Sequence, residues 1–231
     1  MVPILESIVR EIKANQNAPG IRAIFLYPLN ALIANQKKRL DQYTKPFDGR
    51  IRYALYTGEL EEEAPKKQKS PDVNPAELNS RAVMREKIPH LMVTNPTMLE
   101  YMLLRTADAP MIEATKRNRT FKWIVLDEAH TYIGSRAAEM ALLLRRVLNS
   151  FDADPNDVHF VATSATVDAS NREKLKRFLI DISGAKPENV HLYFGERNVP
   201  QIERLDALRD EETLGSLQRL ADGESDEVLI Q

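Results

Sequence analysis

The sequence predicts an α/β protein built on a parallel β-sheet with helices on both faces. Three observations carry this expectation. Short, almost continuous apolar runs recur along the chain, each reading as a strand buried on both faces. Most are followed by a stretch with apolar residues at helical spacing, the alternation that links parallel strands through crossover helices. The runs also end in small or polar residues, and a parallel sheet gathers such ends along one edge.

Bulk composition narrows the class. At 231 residues the chain has room for one large domain or two small ones. Hydrophobic residues at 43% beside 29% charged residues fit an ordinary globular protein rather than a disordered one. The absence of cysteine excludes a disulfide framework and any thiolate metal site. No apolar run approaches a membrane span, and the N-terminus has no basic-then-apolar signal pattern. A cytoplasmic protein with no membrane partner is expected. Net charge is −2, so any binding to nucleic acid must use a local surface rather than a global basic field.

Taken in order, residues 1–15 read as a helix through Ile4, Leu5, Ile8, Val9 and Ile12. Residues 21–27 (IRAIFLY) follow as a strand that ends in Pro28-Leu29-Asn30, with Asn30 as N-cap of the next helix. Residues 51–56 are a short strand running into Thr57-Gly58. Residues 59–90 are charged, Pro-bearing and without period, which predicts an exposed loop carrying a short helix over 76–86. The Lys66-Lys67-x-Lys69 cluster inside it reads as a solvated loop or as a contact to a phosphate backbone. Leu91-Met92-Val93 is a strand ending in Thr94-Asn95-Pro96, and Thr97 with Glu100 has capping-box spacing for a helix. After residues 121–126 comes a helix over 135–149, then a strand over 158–163 ending in Ser164-Ala165-Thr166. A helix over 172–182 is closed by Gly184, and 190–194 reads as a last strand. From Glu203 onward the chain is acidic and weakly periodic, a helix packing elsewhere or a linker.

The most informative stretch is Phe121-Lys122-Trp123-Ile124-Val125-Leu126-Asp127-Glu128-Ala129-His130. A buried strand that ends in adjacent acids places charge at the carboxyl edge of the sheet, where α/β proteins hold ligands. Alternation along an extended chain would point Asp127 and Glu128 in different directions, one toward a metal and the other toward a water. The plainer alternative is a solvated acidic loop. Four other strand ends join this one: Pro28-Leu29-Asn30, Thr57-Gly58, Thr94-Asn95-Pro96 and Ser164-Ala165-Thr166. Small hydroxyl and amide groups there suit contacts to sugar and phosphate that position a nucleic acid without reading its bases.

In order and spacing these motifs resemble the first RecA-like domain of superfamily 2 DEAD/DEAH-box helicases. The sequence 25–32 (FLYPLNAL) is similar to motif Ia, Tyr56-Thr57-Gly58 to motif Ib, and Val93-Thr94-Asn95-Pro96 to the strand-contacting motif that follows. Asp127-Glu128-Ala129-His130 matches motif II, the Walker B element, and Ser164-Ala165-Thr166 matches motif III. The phrasing YPLNAL, TNPTMLEYMLLR and DEAHTY resembles large bacterial DNA helicases of the Lhr-like type. The resemblance implies a P-loop NTPase fold, with ATP and Mg²⁺ as cofactors of the complete enzyme. It implies that Asp127 holds the metal, that Glu128 orients and deprotonates the attacking water, and that His130 senses the γ-phosphate and links it to Ser164 and Thr166. Pro28, Asn30, Thr57, Gly58, Thr94 and Asn95 would line the path of one nucleic-acid strand, DNA by the Lhr-like phrasing.

The phosphate-binding pattern G-x-x-x-x-G-K-[ST] does not occur in the 231 residues. Against the family, the chain is expected to begin just downstream of that loop, and to stop before a second RecA-like domain that would be its partner. Residues 1–200 then form a partial RecA-like domain, incomplete at the N-terminus, and 201–231 a linker or the start of a following region. Two functions fit this arrangement. One is part of an ATP-dependent helicase that is inactive alone; the other is a non-catalytic module derived from a helicase that binds nucleic acid or protein. In the family the strand leading into the phosphate loop lies beside the motif III strand, so residues 158–163 are expected to present an unpaired, buried edge.

Overall fold

The computed structural model describes residues 1–14, 17–63, 74–132, 134–164 and 172–193. Five strands are formed: β1 (Ala23–Leu26), β2 (Tyr53–Tyr56), β3 (Leu91–Thr94), β4 (Trp123–Leu126) and β5 (His159–Ala162). They lie in the order β2-β3-β1-β4-β5, and every neighbouring pair is parallel. Register aligns their carboxyl ends. Leu26 lies opposite both Thr94 and Leu126, Thr94 opposite Tyr56, and Leu126 opposite Ala162. The polar residues after each strand therefore sit at one level.

Alternation along each strand divides the core in two. Ala23, Phe25, Tyr53, Leu91 and Val93 face α1 (Val2–Lys13) and α2 (Asn30–Thr44), which contribute Ile4, Leu5, Ile8, Ile33 and Leu40. Ile24, Leu26, Met92 and Ile124 face the opposite layer. That layer comprises α3 (Arg81–Lys87), α4 (Pro96–Leu104), α5 (Ala109–Asn118) and α6 (Ser135–Ser150), through Met84, Leu99, Met111 and Leu144. The last helix, α7 (Arg172–Ser183), packs along α6. The α/β architecture with helices on both faces follows from buried strands linked by crossover helices.

Several local expectations are corrected. The apolar residues Ala76 and Leu78 do not begin a helix. They run beside β2, where Tyr53 N–H donates to the Ala76 carbonyl (2.8 Å) and Leu78 N–H to the Tyr53 carbonyl (2.9 Å). The helix starts only at Arg81, capped by Ser80, whose Oγ accepts from Val83 N–H (3.3 Å). Residues 59–90 are accordingly not a wholly exposed loop, since Ala76, Leu78, Met84 and Ile88 join the core. The Lys66-Lys67-x-Lys69 cluster lies outside the described residues.

Asn95, not Thr97, caps α4: its Oδ1 accepts from Met98 N–H (2.8 Å). Pro96 takes the first helical position, where its missing N–H costs nothing, so the cap must precede it. Asn30 is the first residue of α2 and makes no cap bond there; the capping position belongs to Leu29 in extended backbone. Among the described residues, 190–193 pair with no strand, and Tyr193 is 92% exposed. Apolar alternation alone cannot make a strand without a ladder partner. Phe194 lies outside the described residues. The helix α5 gave no strong periodic signal, because its buried stripe is narrow: Met111, Ala114 and Thr115.

Candidate functional site

The chain leaves β1 toward β2 on one side of the sheet and leaves β4 toward β5 on the other. β1 and β4 are neighbours, so their carboxyl ends flank the point where the connections diverge. Open α/β sheets bind ligands at such a point. Tyr27 and Pro28 follow β1 there, and Asp127 follows β4.

Motif geometry around β4 departs from simple alternation. Asp127 is already in the turn, held by its N–H donating to the Leu26 carbonyl (2.9 Å). Glu128 adopts a left-handed backbone conformation, φ 52° and ψ 44°. That conformation is uncommon for a residue with a Cβ and costs on the order of 1 kcal/mol, so its surroundings must impose it. They do so from both sides. The Glu128 carbonyl accepts from Thr131 N–H (2.9 Å) and Thr131 Oγ1–H (2.8 Å), while Ala129 N–H donates to the Thr163 carbonyl (2.9 Å). A left-handed turn, rather than an extended pleat, separates the two carboxylates.

Asp127 meets the end of β5 directly and Glu128 reaches it through His130. Thr163 Oγ1 donates to Asp127 Oδ1. His130 Nδ1 lies 3.2 Å from Glu128 Oε2 and 3.1 Å from Ser164 Oγ. A carboxylate at that distance favours a proton on Nδ1. Glu128 and His130 are each about one-third exposed, so the cluster is open to an incoming ligand while anchored from below. Ala165 and Thr166 lie outside the described residues.

Two tyrosines border Asp127. Burial and then the Asp127 charge push the phenols of Tyr27 and Tyr132 up to about 12, so both stay protonated through the neutral range. Among the described residues no three His, Cys, Asp or Glu side chains gather into a metal cluster. A divalent cation at Asp127 would need the sparse protein donation that Mg²⁺ accepts, with phosphate and water oxygens filling the remaining positions. The residues present fit that half of a nucleotide site.

The β1–β3–β2 side of the edge holds a second group. Asn95 Nδ2 donates to Asn30 Oδ1 (2.7 Å), which joins the starts of α4 and α2. Thr94 is fully buried and its hydroxyl donates to the Tyr56 carbonyl (2.6 Å), so its side chain braces β3 against β2. Thr57 is 9% exposed and its carbonyl accepts from Arg81 Nη2–H (3.0 Å). Gly58 is exposed, with no atom within 4 Å of the place a Cβ would occupy. Pro28 is half-buried. Asn30, Asn95, Pro28 and Gly58 thus present surface, while Thr94 and Thr57 shape what lies beneath.

Sequence reasoning missed Thr163, Tyr27, Tyr132 and Arg81. Thr163 had a signal, a hydroxyl directly before Ser164 at a strand end. Arg81 had none, since its partners come from residues 56–60, more than twenty positions earlier.

A five-stranded parallel sheet with helices on both faces is a RecA-like α/β fold. The chain belongs to the DEAD/DEAH box helicase family, whose family model matches residues 1–175. Among curated relatives it is 36% identical over 121 residues to the Druantia protein DruE of Escherichia coli (strain UMEA 4076-1), covering 48% of this chain and 6% of that protein. It is 28% identical over 207 residues to the uncharacterized ATP-dependent helicase YprA of Bacillus subtilis (strain 168), covering 84% of this chain and 23% of YprA. Among solved structures it is similar to the DUF1998 helicase MrfA bound to DNA. There the TM-score is 0.54 at 27% identity, over 79% of this chain and 20% of MrfA. MrfA bound to DNA and AMPPNP gives a TM-score of 0.51 at 26% identity, over 79% and 21% of the two chains. The chain spans less than a quarter of the length of each of these relatives. No helix among the described residues is long and apolar enough to cross a membrane.

Proposed function

We propose that this chain is part of an ATP-dependent DNA helicase or translocase of the Lhr-like type. Residues 1–200 supply part of its ATP-binding RecA-like domain, with 59–90 as an insertion and 201–231 leading into a following region. A second RecA-like domain, or a complementary chain, completes the cleft. The observation that carries this reading is the double tie between motif II and the end of β5: Asp127 to Thr163, and Glu128 through His130 to Ser164.

Asp127 holds Mg²⁺ in this reading, and the ion when bound offsets phosphate charge. Glu128, held out of line with Asp127 by its left-handed backbone, orients a water and takes its proton. His130 bridges Glu128 and Ser164, so a change at the γ-phosphate reaches β5 through one imidazole, with Thr166 as a further link. Asn30, Asn95, Pro28 and Gly58 face one DNA strand, and Thr57 and Thr94 fix the loops that carry them. Support for DNA comes from the DNA-bound MrfA structure and the Lhr-like phrasing.

The lack of G-x-x-x-x-G-K-[ST] in the 231 residues favours a second reading for the chain taken alone, a non-catalytic module that binds nucleic acid or protein. The purified 231-residue chain is accordingly expected to show no ATP hydrolysis above background. Turnover that disappears in Glu128→Gln would refute that expectation. Binding to a labelled single-stranded oligonucleotide should fall with rising salt and vary little with base sequence, because backbone contacts dominate. A strong sequence preference at constant salt would count against the proposed strand path.

A further inference from the structure

The segment after β2 is held by a buried polar assembly. Arg81, 8% exposed, directs its whole guanidinium at it. Nε–H donates to the Leu60 carbonyl (2.9 Å), Nη2–H to the Thr57 carbonyl (3.0 Å) and Nη1–H to Tyr56 Oη (3.1 Å), with the guanidinium carbon 4.9 Å from the Tyr56 ring centroid. Tyr56 Oη in turn donates to Asp108 Oδ2 (2.7 Å), and Arg85 Nε–H donates to Asp108 Oδ1 (2.9 Å). Tyr56 and Asp108 are fully buried. Arg85 also grips Glu62, and the N–H groups of Arg81 and Ala82 donate to the Glu61 (2.9 Å) and Glu62 (3.0 Å) carbonyls. Residues 57–62 are therefore fastened at four carbonyls and one carboxylate.

Such an assembly is a costly way to hold a loop. A buried carboxylate and guanidinium lose hydration that only full hydrogen bonding offsets, and a packed apolar pair would stabilise the fold as well. What the polar version adds is directional fixing of a loop backbone, since each donor of the rigid guanidinium fork aims at one acceptor. The assembly also spans two elements of the proposed strand path. Asp108 lies on the turn that closes α4, and α4 opens at Asn95. Thr94 Oγ1–H bonds the Tyr56 carbonyl from the other side. Loop 57–58 and the start of α4 are thereby locked to one another through Tyr56.

We infer that Arg81, Tyr56 and Asp108 are positioning residues for nucleic-acid binding, a clamp that presets loop 57–62 against α4 so that Gly58 and Asn95 meet one strand together. The inference rests on the strand path proposed above. Arg81 acts through the loop and not by touching the nucleic acid, because its side chain is buried and each of its three nitrogens is bonded within the protein.

The test compares the unaltered chain with Arg81→Lys and with the nearly isosteric Tyr56→Phe, which removes only the hydroxyl linking Arg81 to Asp108. Affinity for a labelled single-stranded oligonucleotide is measured across a salt series, with amide hydrogen exchange of residues 57–62 and thermal stability alongside. Arg81→Lys should weaken binding on the order of tenfold, with a smaller loss for Tyr56→Phe and faster exchange over 57–62 in both. The slope of log affinity against log salt should stay unchanged, since no phosphate contact is removed. A slope reduced by about one in Arg81→Gln, which removes the charge that Arg81→Lys keeps, would mean that Arg81 contacts phosphate directly, and would overturn the clamp. So would unchanged affinity in Tyr56→Phe despite faster loop exchange, which would leave the assembly a purely structural role. If Arg81→Lys does not fold, Tyr56→Phe decides alone. Failure of the unaltered chain to bind any oligonucleotide would overturn the strand path and the clamp together, whereas binding that ignores both substitutions would overturn only the clamp.

Discussion

His90 shows how one side chain sets the conditions under which the sheet holds. It is fully buried just before β3, with Nδ1 accepting from Arg52 N–H (2.9 Å) and Nε2 facing Asn17 Oδ1 (3.0 Å). That pairing requires the neutral ring with its proton on Nε2. Burial, and then the charges of Arg52 and Arg22, push the imidazole down to about 3. The unfolded chain takes up a proton on this ring near pH 6.5, whereas the folded chain refuses it until about 3. Between those values the unfolded state binds more protons, so stability rises with pH and is lost as pH falls through the window. The slope from this group approaches about 1.4 kcal/mol per pH unit. Carboxylates titrate in the same range, so the difference between variants is the measurement. Denaturant unfolding at pH 7 and pH 4.5 should show a smaller acid loss for His90→Gln than for the unaltered chain. Equal losses would mean that His90 is protonated in the fold. At Glu128 the same scale shows what a sequence can and cannot convey. The motif identifies the residue, but the left-handed turn that aims it depends on Thr131 and Thr163, which no local propensity at Glu128 announces.

Elements are joined at this edge by their caps. Asn95 satisfies the first turn of α4 through Oδ1 and bonds Asn30 at the start of α2 through Nδ2, so one amide serves two helices on opposite faces of the sheet. Asn95→Ala removes both and should cost about 1 kcal/mol, within a range of about 0.5–2. Asn95→Ser keeps a cap acceptor but is too short to reach Asn30, so it should recover most of that stability while still breaking the link to Asn30. Equal destabilisation by both variants, read by chemical denaturation, would place the stabilising contact at Asn30 instead of the cap. The strands were legible because burial on both faces leaves continuous apolar runs at 23–26, 91–94 and 123–126. Caps and short helices were less so. Thr97 and Glu100 have capping-box spacing, yet Pro96 decides the start of α4; Ala76 and Leu78 stand two apart, the spacing of an extended segment and not of a helix face, and pairing with Tyr53 holds them so. The alignment of strand ends along one edge was legible because it follows from parallel register alone.

At the scale of the whole sheet the two edges are treated differently. The β2 edge is covered by residues 76–78, whose backbone exchanges hydrogen bonds with Tyr53. At the other edge β5 pairs with β4, and among the described residues no other backbone pairs with it. The expectation of a buried edge is corrected here. β5 alternates between half-buried Phe160 and Ala162, which face α6, and exposed His159 and Val161 on the opposite face. Neither α1 nor α2 covers that face at β5; His159 instead stacks on Trp123, ring centroids 4.3 Å apart, and Val161 is 38% exposed. A parallel edge left unpaired by the described residues is a template for another strand. The 231-residue chain should therefore associate with itself in a concentration-dependent way through the micromolar range. Val161→Lys places a charge at the middle of the strand without removing a core contact, since Val161 already faces solvent. It should give a monomer in sedimentation equilibrium with an unchanged circular dichroism spectrum, because a charged edge rejects a second strand while the β4 ladder stays intact. A chain that remains monomeric before the substitution, or a Val161→Lys variant that associates as strongly, would locate self-association elsewhere and remove β5 as its cause.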